Sequence, residues 1–450
     1  MKVIIIGNGL AGVTVASNLV SLDPSVEVEI FSEENYPYYS RVKLVDFMMG
    51  TISKEDLIVF EEFWYEARDI TLHLQSRVIE VIPKKKKIIV EDVTDPKKTE
   101  EHDFDKLVIA SGSKPIIPKS ALEESSTKKT ILEPVHRDKK GWHVLRTIDD
   151  AIEIREHLKQ AQRVNILGSG LLGLEIADKF RTGNNTLDTT IIEIEPIVAP
   201  AYLDKKGSFV LSNLLERAGV KILIDTRVTE CTGEEHIEGC RLSDKTIQKG
   251  DIILFACGIK PNVDFLVDSG IEMIETPDYE IEADEVIGQE FTRSILVNEH
   301  MQTNFDDIYA VGDCCEFDGF MYGINPAAIE QAKHCAYNII QPGGETMDYK
   351  GTIPIVTFHG FDTELASIGR VNEYTIGQAE MEEIFSYFKV DLTLGEYKKI
   401  FIKDEKLIGA ILIGNISLQM EIRRMILEKI NVSEFADKIL EENFNLRDYL

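Results

Sequence analysis

The sequence predicts an α/β protein, with two doubly wound strand–turn–helix units and a smaller α+β domain at its C-terminal end. Two observations carry this. A buried strand, a glycine-rich turn, an amphipathic helix and a second strand ending in an acid occur twice, at Lys2–Glu34 and Arg163–Glu193. Beyond residue 345 the pattern changes to paired strands followed by a helix with one apolar face.

The first unit reads KVIIIGNGLAGVTVASNLV. Lys2–Ile6 is a continuous apolar strand, and Gly7-x-Gly9-x-x-Gly12 opens the helix. Gly7 allows the tight turn, Gly9 lets backbone approach a pyrophosphate, and Gly12 lets helix pack closely on strand. The free N–H groups at the helix start, around Leu10 and Ala11, face the phosphates. After the strand VEVEIF come Glu33 and Glu34; Glu33 lies 26 residues after Gly7, placed to accept hydrogen bonds from ribose hydroxyls. The unit recurs as RVNILGSGLLGLEIADKF, with Gly168, Gly170, Leu171, Leu172 and Gly173 at the turn and Glu193 25 residues after Gly168. One such motif is weak evidence. Two copies, each preceded by a strand and closed by an acid, predict two Rossmann-like dinucleotide-binding domains, one for a flavin dinucleotide and one for an exchanging nicotinamide dinucleotide.

The chain resembles the two-dinucleotide flavoproteins related to the pyridine nucleotide–disulfide oxidoreductases. Within them it is most similar to NADH–rubredoxin reductases and the flavin half of assimilatory nitrite reductases. The likeness covers about Met1 to Ile340 and rests on four further motifs: DKLVIASGSKP (Asp105–Pro115), LRTIDDA (Leu145–Ala151), ACGIKPN (Ala256–Asn262) and TNFDDIYAVGD (Thr303–Asp313). It implies that the first unit binds FAD and the second the nicotinamide cofactor. The FAD domain is then discontinuous, 1–118 and 262–345, around an NAD domain at 146–261, with a C-terminal domain at 346–450 that contributes to dimerisation in relatives. Ala110, Ser111, Gly112 and Gly312 belong to the implied FAD site, Asp313 would accept from the ribityl chain, and Val78 would lie beside the adenine. Gly258 falls in the return from the nicotinamide domain.

In YGINPAAIEQA, Asn325 can cap a helix whose first residue is Pro326, followed by Ala327. The resemblance aims this helix at the pyrimidine edge of the flavin, where its dipole favours the reduced form; an ordinary capped core helix is the alternative. Glu175, two residues after Gly173, reads as dipole compensation in a first helical turn. The resemblance instead puts it near the nicotinamide amide, paired with a basic residue beside the flavin, for which Arg41 and Lys43 are the candidates.

NYPYYSRVKLVDFMMG, where relatives carry a flavin-side thiol, contains no cysteine, and Arg41 stands about where a single one would. Electrons are therefore expected to leave the flavin directly, to rubredoxin, another small carrier or a small-molecule acceptor. Alternatives are a peroxide-forming NADH oxidase and an interaction flavoprotein whose assembly responds to NADH. Cys314–Cys315 reads as two buried thiols rather than a redox pair, and no cysteine cluster has metal spacing. Carboxylates around Glu193, with no arginine in IIEIEPIVAPAYLD, favour NADH over NADPH.

The formal charge of −29 disfavours nucleic acid and anionic membranes. No apolar run approaches the roughly 18 residues of a membrane span, and the N-terminus reads as a strand rather than a signal peptide, so a cytoplasmic protein is expected. Lys84–Lys87 reads as a solvated turn between two strands. Lys398–Gly414 reads as a hairpin, Leu418–Ile430 as a helix with a core-facing stripe, and SEFADKILEENFNLRDYL as a further helix. Lys119–His143 and Glu275–Glu290 read as insertions, each a solvated loop or hairpin.

Overall fold

A computed structural model describes residues 1–118, 140–182, 187–277, 291–372, 383–441 and 443–450. The chain divides into two compact units. The first comprises Met1–Arg41, Ser53–Lys114 and Ile259–Thr352; the second comprises Val42–Ile52, Pro115–Gly258 and Ile353–Leu450.

Unit 1 is built on a five-stranded parallel sheet, ordered Ile308–Ala310, Lys106–Ile109, Lys2–Ile6, Glu27–Phe31, Ile70–His73. Val3, Ile4, Ile5, Val28, Ile30, Leu107, Val108 and Ile109 are fully buried, which is why these strands read as continuous apolar runs instead of alternating ones. The helix Leu10–Leu22 buries Val13, Val15, Ala16 and Leu19. A three-stranded antiparallel sheet, Ser76–Ile82, Lys87–Asp92 and Asp95–Asp103, lies in sequence between the parallel strands Ile70–His73 and Lys106–Ile109. The lysine run forms its first turn, a 3-10 turn at Pro83–Lys85 with Lys86 left-handed, as expected of a solvated tip. Met273–Pro277 and Phe291–Leu296 pair antiparallel; residues 278–290 of the second expected insertion lie outside the described residues, as do 119–139 of the first.

Unit 2 repeats the parallel design, ordered Lys221–Leu223, Asp188–Ile192, Arg163–Leu167, Ile252–Phe255, Trp142–Val144. Its C-terminal part is a five-stranded antiparallel sheet, Ile355–Gly360, Thr363–Gly369, Lys406–Ile413, Glu396–Lys403, Phe385–Asp391. The expected hairpin is its central pair. The helix Gln419–Leu427 buries Ile422 and Met425, while Leu418, Ile426 and Ile430 pack partly buried against the same core.

Two readings of local structure are corrected. The last stretch is not a continuous helix: among its described residues it holds 3-10 turns at Ala436–Lys438 and Leu446–Tyr449. Its apolar residues Phe435, Ile439, Leu440 and Leu446 instead plug the C-terminal core as an irregular segment, so tertiary burial replaced helix propensity. The helix containing Pro326 spans Asn325–Ile340, with Ile324 at the cap position and no side-chain cap. Asn325 is thus inside the helix and does not cap it.

Candidate functional site

In unit 1 the glycine turn is fixed by contacts that exclude any side chain. A Cβ on Gly7 would sit 2.2 Å from the Ala110 carbonyl oxygen, and one on Gly12 would sit 2.0 Å from that of Gly7. Gly7 also has φ +108°, a conformation only glycine adopts cheaply. Gly9 is different: a Cβ there meets nothing within 4 Å. It stands at the N-cap of Leu10–Leu22 without a side-chain cap, so open space lies over a helix N-terminus whose first N–H groups have no intrahelical acceptor. Beside it the Asn8 Nδ2 is buried with no hydrogen-bond partner, while its Oδ1 accepts from the Tyr65 hydroxyl at 3.0 Å. An oriented but unanswered donor and an open glycine fit a dinucleotide pyrophosphate.

Around this turn the fold gathers residues far apart in sequence. Glu34 accepts from the Arg41 guanidinium and from the Tyr39 hydroxyl, both at 2.6 Å. Burial works against the Arg41 charge, but Tyr39, Glu34 and, from the far end of the unit, Asp313 outweigh it and hold the guanidinium ionised. Asp313 in turn accepts from the Ser113 hydroxyl at 2.7 Å. The Ser111 hydroxyl donates to the Asn262 carbonyl at 2.7 Å, and Gly312 N–H donates to Gln331 Oε1 at 2.8 Å. Glu33 is half exposed and meets Arg77 at 3.1 Å. Val78 is buried on its antiparallel strand opposite Val90. Ala327 is buried at the start of its helix, behind Pro326.

Unit 2 repeats the turn. A Cβ on Gly168 would lie 2.4 Å from the Ala256 oxygen and one on Gly173 2.3 Å from that of Gly168, whereas one on Gly170 meets nothing within 4 Å. Gly258 closes the neighbouring strand with φ +105°. The helix Leu171–Thr182 starts at Leu171, with Leu172 in its first turn. Glu193 is buried, and its Oε2 accepts the Ser169 N–H at 2.8 Å and the Ser169 hydroxyl at 2.6 Å. Its Oε1 accepts the Glu195 N–H at 3.0 Å. A carboxylate offers about four acceptor positions, so capacity for a ribose hydroxyl remains.

Glu175 requires a correction. It is the fifth residue of its helix, and the first turn holds no acid, so dipole compensation there is not its role. Burial, followed by the nearby Asp46 carboxylate, pushes its carboxyl up to about 7. Asp46 is engaged by Lys179 at 2.9 Å. The carboxyl therefore holds or releases a proton near neutrality.

No cysteine is joined to another in a disulfide. Cys314 and Cys315 are fully buried. Cys314 Sγ donates to the Ile109 and Val311 carbonyls, both at 3.3 Å, and Cys315 Sγ to that of Gly312 at 3.4 Å. Burial pushes Cys314 up to about 11 and Cys315 well above its ordinary range.

Sequence reasoning missed Asn8, Ser113, Ser169, Tyr39 and Gln331. All five lie in stretches quoted above, but nothing in those stretches marks them, because their roles depend on partners brought in by the fold.

The family model for pyridine nucleotide-disulphide oxidoreductase matches residues 1–338, and that for the rubredoxin NAD+ reductase C-terminal domain matches residues 354–430. The chain is 30% identical over 434 residues to a nitrite reductase [NAD(P)H] of Bacillus subtilis, covering 96% of this chain but 48% of that protein. It thus spans about half that relative's length. It is 26% identical to an NADH-rubredoxin oxidoreductase of Clostridium acetobutylicum, over 94% of each chain. Among solved structures, the covalent putidaredoxin reductase–putidaredoxin complex matches with a TM-score of 0.81 at 20% identity, covering 100% of this chain and 97% of that one. No helix among the described residues is long and apolar enough to cross a membrane.

Proposed function

This chain belongs to the pyridine nucleotide-disulphide oxidoreductase family, whose flavoproteins use FAD and NAD(P)H, and from that premise we propose that it oxidises NADH through FAD and delivers the electrons to a small redox carrier without a cysteine relay. Bound FAD would supply the two-electron hydride chemistry that links the nicotinamide to an electron acceptor. The protein's share is to position and to tune charge. The Gly7–Gly12 turn with Asn8 holds the pyrophosphate of FAD, Glu33 and Glu34 face its ribose side, and Val78 lines the adenine. Ala110, Ser111, Gly112, Gly312 and Asp313 hold the ribityl chain, and the helix beginning at Asn325, through Pro326 and Ala327, points its dipole at the pyrimidine edge. The Gly168–Gly173 turn, Glu193 and Gly258 hold NADH. Glu175 governs the proton beside the nicotinamide.

The observation that carries the direct transfer is the state of Cys314 and Cys315. They follow Asp313, yet are sealed from solvent, bonded to backbone carbonyls and held protonated. Reactive thiols need the opposite surroundings. The matched C-terminal domain and the full-length Clostridium acetobutylicum relative favour rubredoxin as the acceptor class. The test is anaerobic reduction by NADH followed by stopped-flow reoxidation against rubredoxin, ferredoxins and oxygen. Fast reoxidation by a carrier protein is expected. Fast reoxidation by oxygen alone would make it an oxidase, and slow reoxidation by all of them with an NADH-dependent change of oligomer size would make it an interaction flavoprotein.

A further inference from the structure

An exposed apolar surface in unit 1 takes no part in the proposed chemistry. Phe63, on the short helix Glu62–Glu66, is 73% exposed, and Val59 just before that helix is 47% exposed. Beside them the Phe60 and Trp64 rings stack at 4.1 Å with 6° between their planes, and the Arg68 guanidinium stands 4.4 Å from the Trp64 ring. Phe60 and Trp64 are half-buried, packed on the core of the unit. Ring and cation together hold the indole, so the surface is ordered before any partner arrives.

From below, this surface is bonded to both segments that the proposed site gives to FAD. The Tyr38 carbonyl accepts the Val59 and Phe60 N–H groups at 3.0 and 3.2 Å, and the Ser40 N–H donates to the Leu57 carbonyl at 2.9 Å. Those bonds fix it to the stretch that carries Tyr39 and Arg41. Trp64 meets the Tyr65 ring edge-on at 5.0 Å. The Tyr65 hydroxyl accepts the Tyr38 N–H and donates to Asn8 Oδ1, both at 3.0 Å. A single ring thus lies between the exposed aromatic pair and the glycine turn.

The charge around it is one-sided. Residues 54–69 hold six acids and two bases, and both bases are turned onto rings, Lys54 at 4.3 Å from that of Tyr36 and Arg68 on Trp64. Glu61, Glu62 and Glu66 are exposed on either side of Phe63. Such a rim repels a second copy of the same face and attracts an apolar face ringed by cations. We propose, building on the FAD site above, that Val59, Phe60, Phe63 and Trp64 are the landing surface of the electron acceptor, a small one-electron carrier protein whose redox centre opens in an apolar face rimmed by lysine or arginine. Contiguous exposed apolar residues with a polar rim mark interaction surfaces, and a tryptophan with an arginine beside it is the composition of an interface centre that carries most of the affinity. The acids steer the approach.

The probe is ferricytochrome c, a one-electron carrier with lysines around its haem edge, mixed by stopped flow with the flavin-loaded protein after photoreduction. Each flavin gives one electron to each of two haems and its protons to the buffer. The second-order rate constant should fall about tenfold between roughly 20 and 200 mM salt, and about tenfold when the cytochrome lysines are acetylated. Phe63→Ser should lower it about tenfold. Glu61→Gln with Glu62→Gln and Glu66→Gln should flatten the salt dependence. All four side chains are exposed, so these variants fold. Phe320→Ser, which removes a 49% exposed ring elsewhere in the unit, should change neither quantity. A rate indifferent to Phe63→Ser and to the triple change, or lowered equally by Phe320→Ser, would overturn the surface. A change of sedimentation on Phe63→Ser without a change of rate would also overturn it and give the surface to a second copy. Failure of NADH to reduce the flavin would count against the proposed function alone, because light supplies the electrons in this measurement.

Discussion

The two donors of Ser169, its N–H and its hydroxyl, converge on one oxygen of Glu193, 2.8 and 2.6 Å away. The acid that closes the second unit therefore also braces the turn of that unit. In the proposed site its carboxylate repels a 2′-phosphate, and its removal frees the loop as well as the charge. Glu193→Ala should narrow the preference for NADH over NADPH and also weaken NADH itself by about tenfold, since hydrogen bonds to a charged acceptor contribute about 1.5–3 kcal/mol each. Ser169→Ala should weaken NADH without changing the preference. Rates of flavin reduction with each nucleotide check both, and a wild type faster with NADPH would refute the reading of Glu193.

FAD, and not FMN, should be released on heating, because the proposed site gives the Gly7–Gly12 turn a pyrophosphate to hold and the acids after it an adenosine ribose. Chromatography of the released flavin decides this. Gly12→Ala, whose new methyl would collide with the Gly7 carbonyl, should yield protein largely free of flavin. Gly170→Ala, which meets no protein atom, should fold normally and lose affinity for the nicotinamide nucleotide alone.

On the proposed direct transfer, in which no thiol stores a second electron pair, anaerobic titration should consume one NADH per flavin. Thiol reagents should label Cys314 and Cys315 only after unfolding, as burial and their raised pKa values dictate. Two NADH per flavin in the wild type, falling to one in Cys314→Ser with Cys315→Ser, would establish a redox pair there and end the direct-transfer proposal.

Glu175 predicts a pH dependence. Its folded pKa, raised to about 7 by burial and Asp46, exceeds the ordinary 4.5. Below 4.5 the carboxyl is neutral in both folded and unfolded chains. As pH rises towards 7 the unfolded chain ionises first, so stability is lost, and the loss is complete above 7. Glu175→Gln should therefore match the wild type below about pH 4 and exceed it by about 1–2 kcal/mol near pH 8. Melting curves without NADH check the sign. An advantage that shrinks as pH rises would show that Glu175 is ionised by a partner instead of suppressed by burial.

Much of this protein follows from local sequence. The two units could be read directly because each demand is local: buried strands need continuous apolar runs, and Gly7, Gly12, Gly168 and Gly173 are required by backbone atoms a few residues or one strand away. The C-terminal hairpin and the stripe of the helix Gln419–Leu427 were equally plain, through periods of two and of three to four. Only tertiary structure decided the rest. Residues 433–450 have helical composition but gain more by burying Phe435, Ile439 and Leu446 in an existing core than by forming helical hydrogen bonds. Arg41 and Asp313 share a field across 272 positions of chain, and Glu175 takes its proton affinity from burial and from Asp46, which no spacing reveals. Sequence fixes what a residue can do with its near neighbours; the dielectric and the distant charges around a carboxyl or guanidinium exist only once the chain has packed.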